Sequence, residues 1–363
     1  MIDVHPAGSQ GPAPCAASSA AASSQASEAA RDLVARVKAH AVPDSFRGLR
    51  QLLVTAAAFA GLWLAMWWCL DVSYWLTLAL AIPAGAFLVR FFMIQHDCGH
   101  GSFFRSQRAN DLVGRMISVL TLTPYTYWRR LHAEHHATSG NLDKRGVGDV
   151  TTLTVREYLA LSRWQRFMYR LYRHPLVLFG IGPAYVFMIK HRLPLDLPLR
   201  KIRLWGSVLA TNGAIAVVLV LLAVLIGPID MIKLQVPVTF VAAAIGVWLF
   251  FIQHQFDGVH WWRGDDWHPD HAALYGSSYY SLPKILQWLT ANIGLHHIHH
   301  LCSRVPNYRL QECQDRVPEL GQARRVTLLE SLRCTRLALW DEAEKQLIRF
   351  RDLKRMRRLG PRS

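Results

Sequence analysis

Carboxylates are scarce in this chain, and glutamate is absent altogether from residues 45–129. That excludes a ferritin-like bundle, which binds its metals through glutamates and Glu-x-x-His pairs on facing helices. Cysteine is thin as well. Cys15, Cys69, Cys98, Cys302, Cys313 and Cys334 form no CxxC pair and are scattered through the chain. This excludes a disulfide framework and fits unpaired thiols in a reducing compartment. The first thirty residues hold no apolar run, so no secretory signal is expected there. Their Ala/Ser/Gly/Pro composition reads as part of a disordered tail over residues 1–45. Charge is missing in a more telling way: four long stretches have none.

What is present in excess is positive charge. Forty-one Lys and Arg stand against 25 Asp and Glu in 363 residues. Such a surplus calls for an anionic partner, either nucleic acid or the anionic face of a membrane. Thirteen Trp beside the uncharged runs decide for the membrane, because Trp collects at bilayer interfaces. No nucleic-acid role is expected.

The uncharged stretches are Leu52 to Leu70, Val72 to Val89, Leu204 to Ile226 and Leu234 to Gln253. Each approaches the roughly 20 helical residues that cross a hydrocarbon core. Pro83 interrupts the second, which neighbouring helices can accommodate. Every Lys and Arg except Lys233 lies before the first stretch, between the second and third, or after the fourth. The positive-inside rule then places both termini and the two large segments in the cytoplasm, with two tight hairpins facing out. Leu112 to Trp128 and Leu176 to Ile189 are apolar but too short or interrupted to span. Both are read as helices lying on the membrane surface, with a core helix of the cytoplasmic cap as the alternative.

Eight of the seventeen histidines fall into three clusters: His96 and His100; His132, His135 and His136; and His296, His299 and His300. Helical spacing brings i, i+3 and i+4 to one face. All three clusters lie on the same membrane side, and His254 ends the fourth stretch at a similar depth. Neutral imidazole suits iron, zinc, copper and nickel alike. The number is more informative, since one zinc needs about four ligands and eight or nine suit two ions. His297 falls on a different helical face and is assigned a supporting place behind the ligands. Asp97, Glu134, Asp257 and Asn292 are candidates for orienting ligand rings through their second nitrogens. His260 is the rival to His254, which is preferred because it ends a membrane helix.

These motifs resemble the membrane fatty acid desaturase family, which carries HxxxH, HxxHH and HxxHH boxes in that order. The run His96-Asp-Cys-Gly-His100-Gly-Ser-Phe-Phe is similar to the first box of acyl-lipid desaturases of the delta-12 (omega-6) type. The run from His132 to Asp149, Gly276-Ser-Ser-Tyr-Tyr280, Asn292 to Leu301, and Pro306-Asn-Tyr308 are similar to the same bacterial and cyanobacterial group. The resemblance implies an all-α integral membrane fold, with four transmembrane helices and a cytoplasmic helical cap holding a di-iron site. It implies that the eight box histidines ligate iron, with His254 in the place of a ninth. The desaturase domain is expected over residues 46–310, followed by a basic cytoplasmic helical tail over residues 311–363.

The implied reaction inserts a cis double bond into a lipid acyl chain, using two Fe ions, O2 and an external electron donor of ferredoxin or cytochrome b5 type. A bacterial inner membrane is the expected location. Phe103, Phe104, Tyr125, Tyr127, Trp128, Tyr279 and Tyr280 are candidate walls of an acyl tunnel. His5-Pro-Ala-Gly8 echoes the haem motif of a fused cytochrome b5 domain, but the following forty residues are too polar and simple to fold one. The nearest rival is a related di-iron hydroxylase of lipids, alkanes or carotenoids. Its alkane-acting members have three residues between the first two histidines of the second box, where this chain has two. A metal transporter is disfavoured because the four stretches hold almost no polar groups.

Overall fold

The computed structural model describes residue 28 and residues 30–146, 149–195 and 197–359. Four long apolar helices dominate it: α1 (Ser45–Cys69), α2 (Tyr74–His100), α6 (Ile202–Ile226) and α7 (Pro228–His254). Their lengths suffice to cross a membrane. Asp44 starts α1 by accepting hydrogen bonds from the amides of Phe46 and Arg47. Pro83 and Pro237 lie inside α2 and α7 without ending either helix.

The spans are not equivalent. Over half of the apolar window of α2 is buried, against 11% in α1 and in α6, so α2 is the central post. It packs on α7 at Gly85, where a Cβ would lie 2.6 Å from Val241 Cγ1. Because α2 runs unbroken to His100, the first histidine box occupies the last turns of a spanning helix.

Between α2 and α6 the chain forms α3 (Gln107–Leu120), α4 (Tyr125–Thr138), a short strand β1 (Leu153–Thr154) and α5 (Arg163–Tyr172). The single surface helix expected from Leu112 to Trp128 is two helices. Pro124 precedes α4, Leu122 adopts a positive φ of 54°, and the chain turns between them. That turn is pinned to α2 one residue before His96. Gln95 accepts from Thr121 Oγ1 at 2.6 Å and donates to the Thr123 carbonyl at 3.1 Å. The entry angle of α4, and with it the second histidine box, is therefore set against the first. The run Val177–Lys190 is helical, with two π-type stretches, and leaves Leu176, Ile181, Tyr185 and Ile189 exposed.

After α7 come β2 (Tyr279–Ser281), α8 (His296–Leu301), α9 (Asn307–Arg316), β3 (Arg325–Thr327), β4 (Leu337–Asp341) and β5 (Gln346–Arg349). The helical tail expected beyond residue 310 is thus corrected to a mixed segment folded back onto the body. β3 pairs parallel to β2, and β4 lies between β1 and β5. The reason is burial: every residue of β4 is buried, and Trp340 stacks on Trp261 with ring centroids 5.1 Å apart. A disordered tail over residues 1–45 is corrected in part. Residues 1–27 and 29 lie outside the described residues, whereas 30–38 are helical, with Leu33 and Val37 buried against Leu295, Ile298 and Leu310.

The third box is reached through a tight turn. Ala291 and Asn292 have φ of 50° and 58°, and a Cβ on Gly294 would sit 2.3 Å from the Tyr280 carbonyl oxygen. Gly294→Ala is expected to cost about 1–3 kcal/mol through this forced separation. A lowered thermal unfolding midpoint, with reduced metal retention because α8 moves, would show it.

Candidate metal centre

Helical spacing turns each box into a row of rings facing one way, and four helices bring the nine rings together. α2 delivers His96 and His100, α4 delivers His132, His135 and His136, α7 delivers His254, and α8 delivers His296, His299 and His300. The nine rings divide into two groups that could each hold a metal ion. One contains His96, His100, His132, His136 and His299; the other contains His135, His254, His296 and His300. Within each group the ligand atoms all lie within 4.8 Å of one another.

The contacts are made Nε2 to Nε2. His132 faces His136 at 3.1 Å, and His136 faces His299 at 3.0 Å. In the second group His254 faces His135 at 3.1 Å and His296 at 3.0 Å, while His296 faces His300 at 3.0 Å. With metal–nitrogen bonds of about 2.1 Å, ligands at right angles stand about 3.0 Å apart, and tetrahedral ligands about 3.4 Å. The observed separations of 3.0–3.1 Å are therefore short enough for neighbouring rings of a group to share one ion. His100 Nε2 is buried with no hydrogen-bond partner, as an imidazole awaiting a cation would be.

Burial first, and neighbouring imidazoles second, hold His132, His136, His296, His299 and His300 well below the ordinary histidine range. Their rings are neutral at pH 7 and keep a lone pair for a metal. A stability consequence follows for metal-free protein. Below about pH 6.5 the unfolded chain takes up protons that these folded-state rings refuse. Stability is therefore expected to fall as pH drops from 7 toward 5. Thermal melts of the apoprotein across that range should show it, with a flatter profile for His300→Ala.

Ring orientation comes from the other nitrogens. His96 Nδ1 lies 3.1 Å from Asp97 Oδ1, while Asp97 Oδ2 accepts from the Asn307 amide and Nδ2 at 2.7 and 2.8 Å. His135 Nδ1 lies 2.6 Å from Asp149 Oδ1. His254 Nδ1 faces the Gly276 carbonyl at 3.2 Å and Ser139 Oγ at 3.4 Å. Sequence reasoning found Asp97 but missed Asp149, because the loop that carries it to His135 has no periodicity.

The remaining candidates are placed differently. Glu134 is exposed on the outer side of α4, where its carbonyl accepts from Thr138. Asp257 is also exposed, and its carbonyl accepts from Arg324. Asn292 donates to the Asn307 carbonyl, bracing the residue that grips Asp97. His297 is buried but belongs to neither group; its Nε2 lies 3.0 Å from Gln314 Oε1, and burial lowers its pKa to about 4. His260 is exposed and stacks on Trp262, outside both groups.

Among the aromatic candidates, Trp128 alone stacks on a box ring, lying 4.7 Å from His132 at an interplanar angle of 16°. Phe103 and Phe104 pack on each other, with Phe103 also against Tyr308, and the Tyr125 hydroxyl bonds the Cys98 carbonyl. These three build the core that holds α2. The Tyr127 ring packs on His191. The Tyr280 hydroxyl accepts from Trp248 and meets Ser331, while Tyr279 lies against His297. Phe250, unforeseen, packs against both His135 and His254, at 5.1 and 5.6 Å. Beside His254 lies a cavity of about 130 Å³, whose lining includes Ser139, Asp149, Phe250, Gln255 and Trp261.

A sequence profile described as fatty acid desaturase matches residues 73–330. The chain belongs to the fatty acid desaturase family. It is an oxidoreductase built on four membrane-length helices. Among its desaturase relatives, a protein named fatty acid desaturase from Bacillus subtilis is 44% identical over 324 residues, covering 89% of this chain and 92% of the relative. A Synechocystis protein named sn-1 acyl-lipid omega-3 desaturase (ferredoxin) is 30% identical over 66% of each chain. An Anabaena variabilis sn-1 oleoyl-lipid 12-desaturase is 25% identical, covering 70% of this chain and 72% of that one.

Proposed function

We propose that this desaturase introduces a cis double bond into an acyl chain of a membrane lipid, at a centre of two irons held by the nine clustered histidines. The observation that carries the reading is the division of those histidines into two separate groups of inward-facing imidazoles. One substrate chain, one O2, two electrons and two protons give the unsaturated chain and two waters. Bound iron would supply the reductive activation of O2 that makes an unactivated methylene reactive.

The chain's own residues do the positioning. Asp97 and Asp149 hold Nδ1 of His96 and His135, leaving their Nε2 atoms free for metal. Trp128 and Phe250 pack against the ring sets and keep bulk water from them. The acyl chain must be held so that one C–C bond faces the centre, a task for a narrow apolar passage.

The ferredoxin named for the Synechocystis relative supports a small iron–sulfur protein as electron donor here, and its acyl-lipid substrate supports a glycerolipid. The basic residues flanking the span ends support a cytoplasmic site and termini in a bacterial inner membrane.

The test is lipid analysis by gas chromatography–mass spectrometry of cells that express the protein and supply a ferredoxin, with double-bond positions mapped by derivatisation. A new cis-unsaturated acid is the expected product. A hydroxylated acid instead would retain the centre and overturn the reaction.

A further inference from the structure

The two histidine groups are braced from different parts of the chain. The group of five is supported by Asp97, by Asn307 that grips it, and by Tyr308, whose hydroxyl donates to the Phe103 carbonyl and accepts from the Asp44 amide. The group of four leans on Arg173, the residue that follows α5. This arginine is 4% exposed. Its guanidinium donates to Thr151 O at 3.2 Å, Thr152 Oγ1 at 3.1 Å, Gln255 Oε1 at 3.2 Å and Leu337 O at 2.6 Å.

No carboxylate is among those partners, and Nε is buried without one. Burial lowers the pKa of the guanidinium. Burying a cation with no carboxylate beside it, only the Phe251 ring face at 5.5 Å and neutral acceptors, is costly, so the site makes sense only if the fork itself is needed. What it joins is specific. Thr151 and Thr152 follow Asp149, the partner of His135, by two and three residues. Gln255 directly follows His254. Leu337 opens β4, and the Tyr169 hydroxyl bonds the next carbonyl, Ala338, at 2.6 Å while accepting from the Leu153 amide. Two of the four rings in this group, His135 and His254, are therefore referenced through one guanidinium to the C-terminal hairpin.

We propose that Arg173 is a positioning residue for the group of four histidines, and that the two groups load metal independently. The inference rests on the two-iron reading above. The full chain, purified and reconstituted anaerobically with ferrous iron, is compared with Arg173→Met and Arg173→Lys. Iron per chain, the electron paramagnetic resonance spectrum after oxidation, and the melting temperature are measured.

Wild-type protein should bind two irons. Arg173→Met should bind one, with a ferric spectrum that differs from the wild type by loss of the second site's contribution, and Arg173→Lys should recover only part of the second. A merely structural role would lower the melting temperature and remove both irons in step, which overturns the proposal. So would two irons with an unchanged spectrum in Arg173→Met, or full recovery by lysine. If Arg173→Met does not fold, Gln255→Met breaks the same link to His254 while keeping the guanidinium and its three other acceptors, and the one-iron result is expected of it too. Wild-type protein that fails to bind two irons would sink the two-iron reading, a failure distinct from any in the variants alone.

Discussion

His299→Ala and His135→Ala, made separately, are each expected to reduce desaturation to background. The two residues serve different groups: His299 faces His136 at 3.0 Å in the group of five, and His135 faces His254 at 3.1 Å in the group of four. Loss of either ring leaves one ion under-ligated while the other group keeps its full set. If the reaction needs both ions together, either deficit stops it, although the fold persists. The measurement is unsaturated acyl product per mole of purified protein, alongside iron content and circular dichroism. Helical content should stay near wild type, because alanine is the best helix former at both positions. Substantial activity in one variant would mean that a single ion suffices, and the two-ion mechanism would fail.

Asp149→Asn should weaken iron binding by about 10–100-fold, the usual cost of removing a carboxylate behind a metal-ligating histidine. The hydrogen bond to His135 Nδ1 is short, at 2.6 Å, and Asp149 is held below the usual carboxylate range: burial opposes this, and the His135 contact outweighs it. Asparagine keeps the shape but removes the charge, so His135 becomes a poorer donor to metal and its ring is less firmly set. Asp97→Asn should be worse. Asp97 Oδ2 accepts from both the amide and the side chain of Asn307, and an asparagine Nδ2 in that place would meet two donors. Leaving such buried groups unsatisfied costs about 1–3 kcal/mol apiece. Iron titration monitored by dialysis, with thermal melts of both variants, separates the outcomes. Equal, negligible losses would show that the carboxylates do not tune the rings.

The histidine boxes were legible because helical spacing is a local property. His132, His135 and His136 must share a face wherever α4 lies, and the same holds for His296, His299 and His300. His254 was legible for a related reason, since it ends a run of apolar residues long enough to span. Features that depend on distant pairing were not. Asp149 reaches His135 from an irregular loop, Arg173 finds its acceptors on three separate segments, and Phe250 meets two rings only after α7 and α4 are docked. The C-terminal segment misled for the opposite reason. Its basic residues advertise a solvated tail, yet Leu337 to Trp340 are buried between β1 and β5, and the charge lies outside them.

By itself the sequence determined four apolar helices, the asymmetry of positive charge around them and three rows of imidazoles, because hydrophobic length and helical period are written residue by residue. Only the tertiary structure decided how the rows sort into groups of five and four, since that depends on which face of α2 meets α4 and α8. The close approach at Gly85, the pinned turn at Thr121 to Pro124 and the clamp at Arg173 set those faces. None of these contacts has a period for a sequence to show.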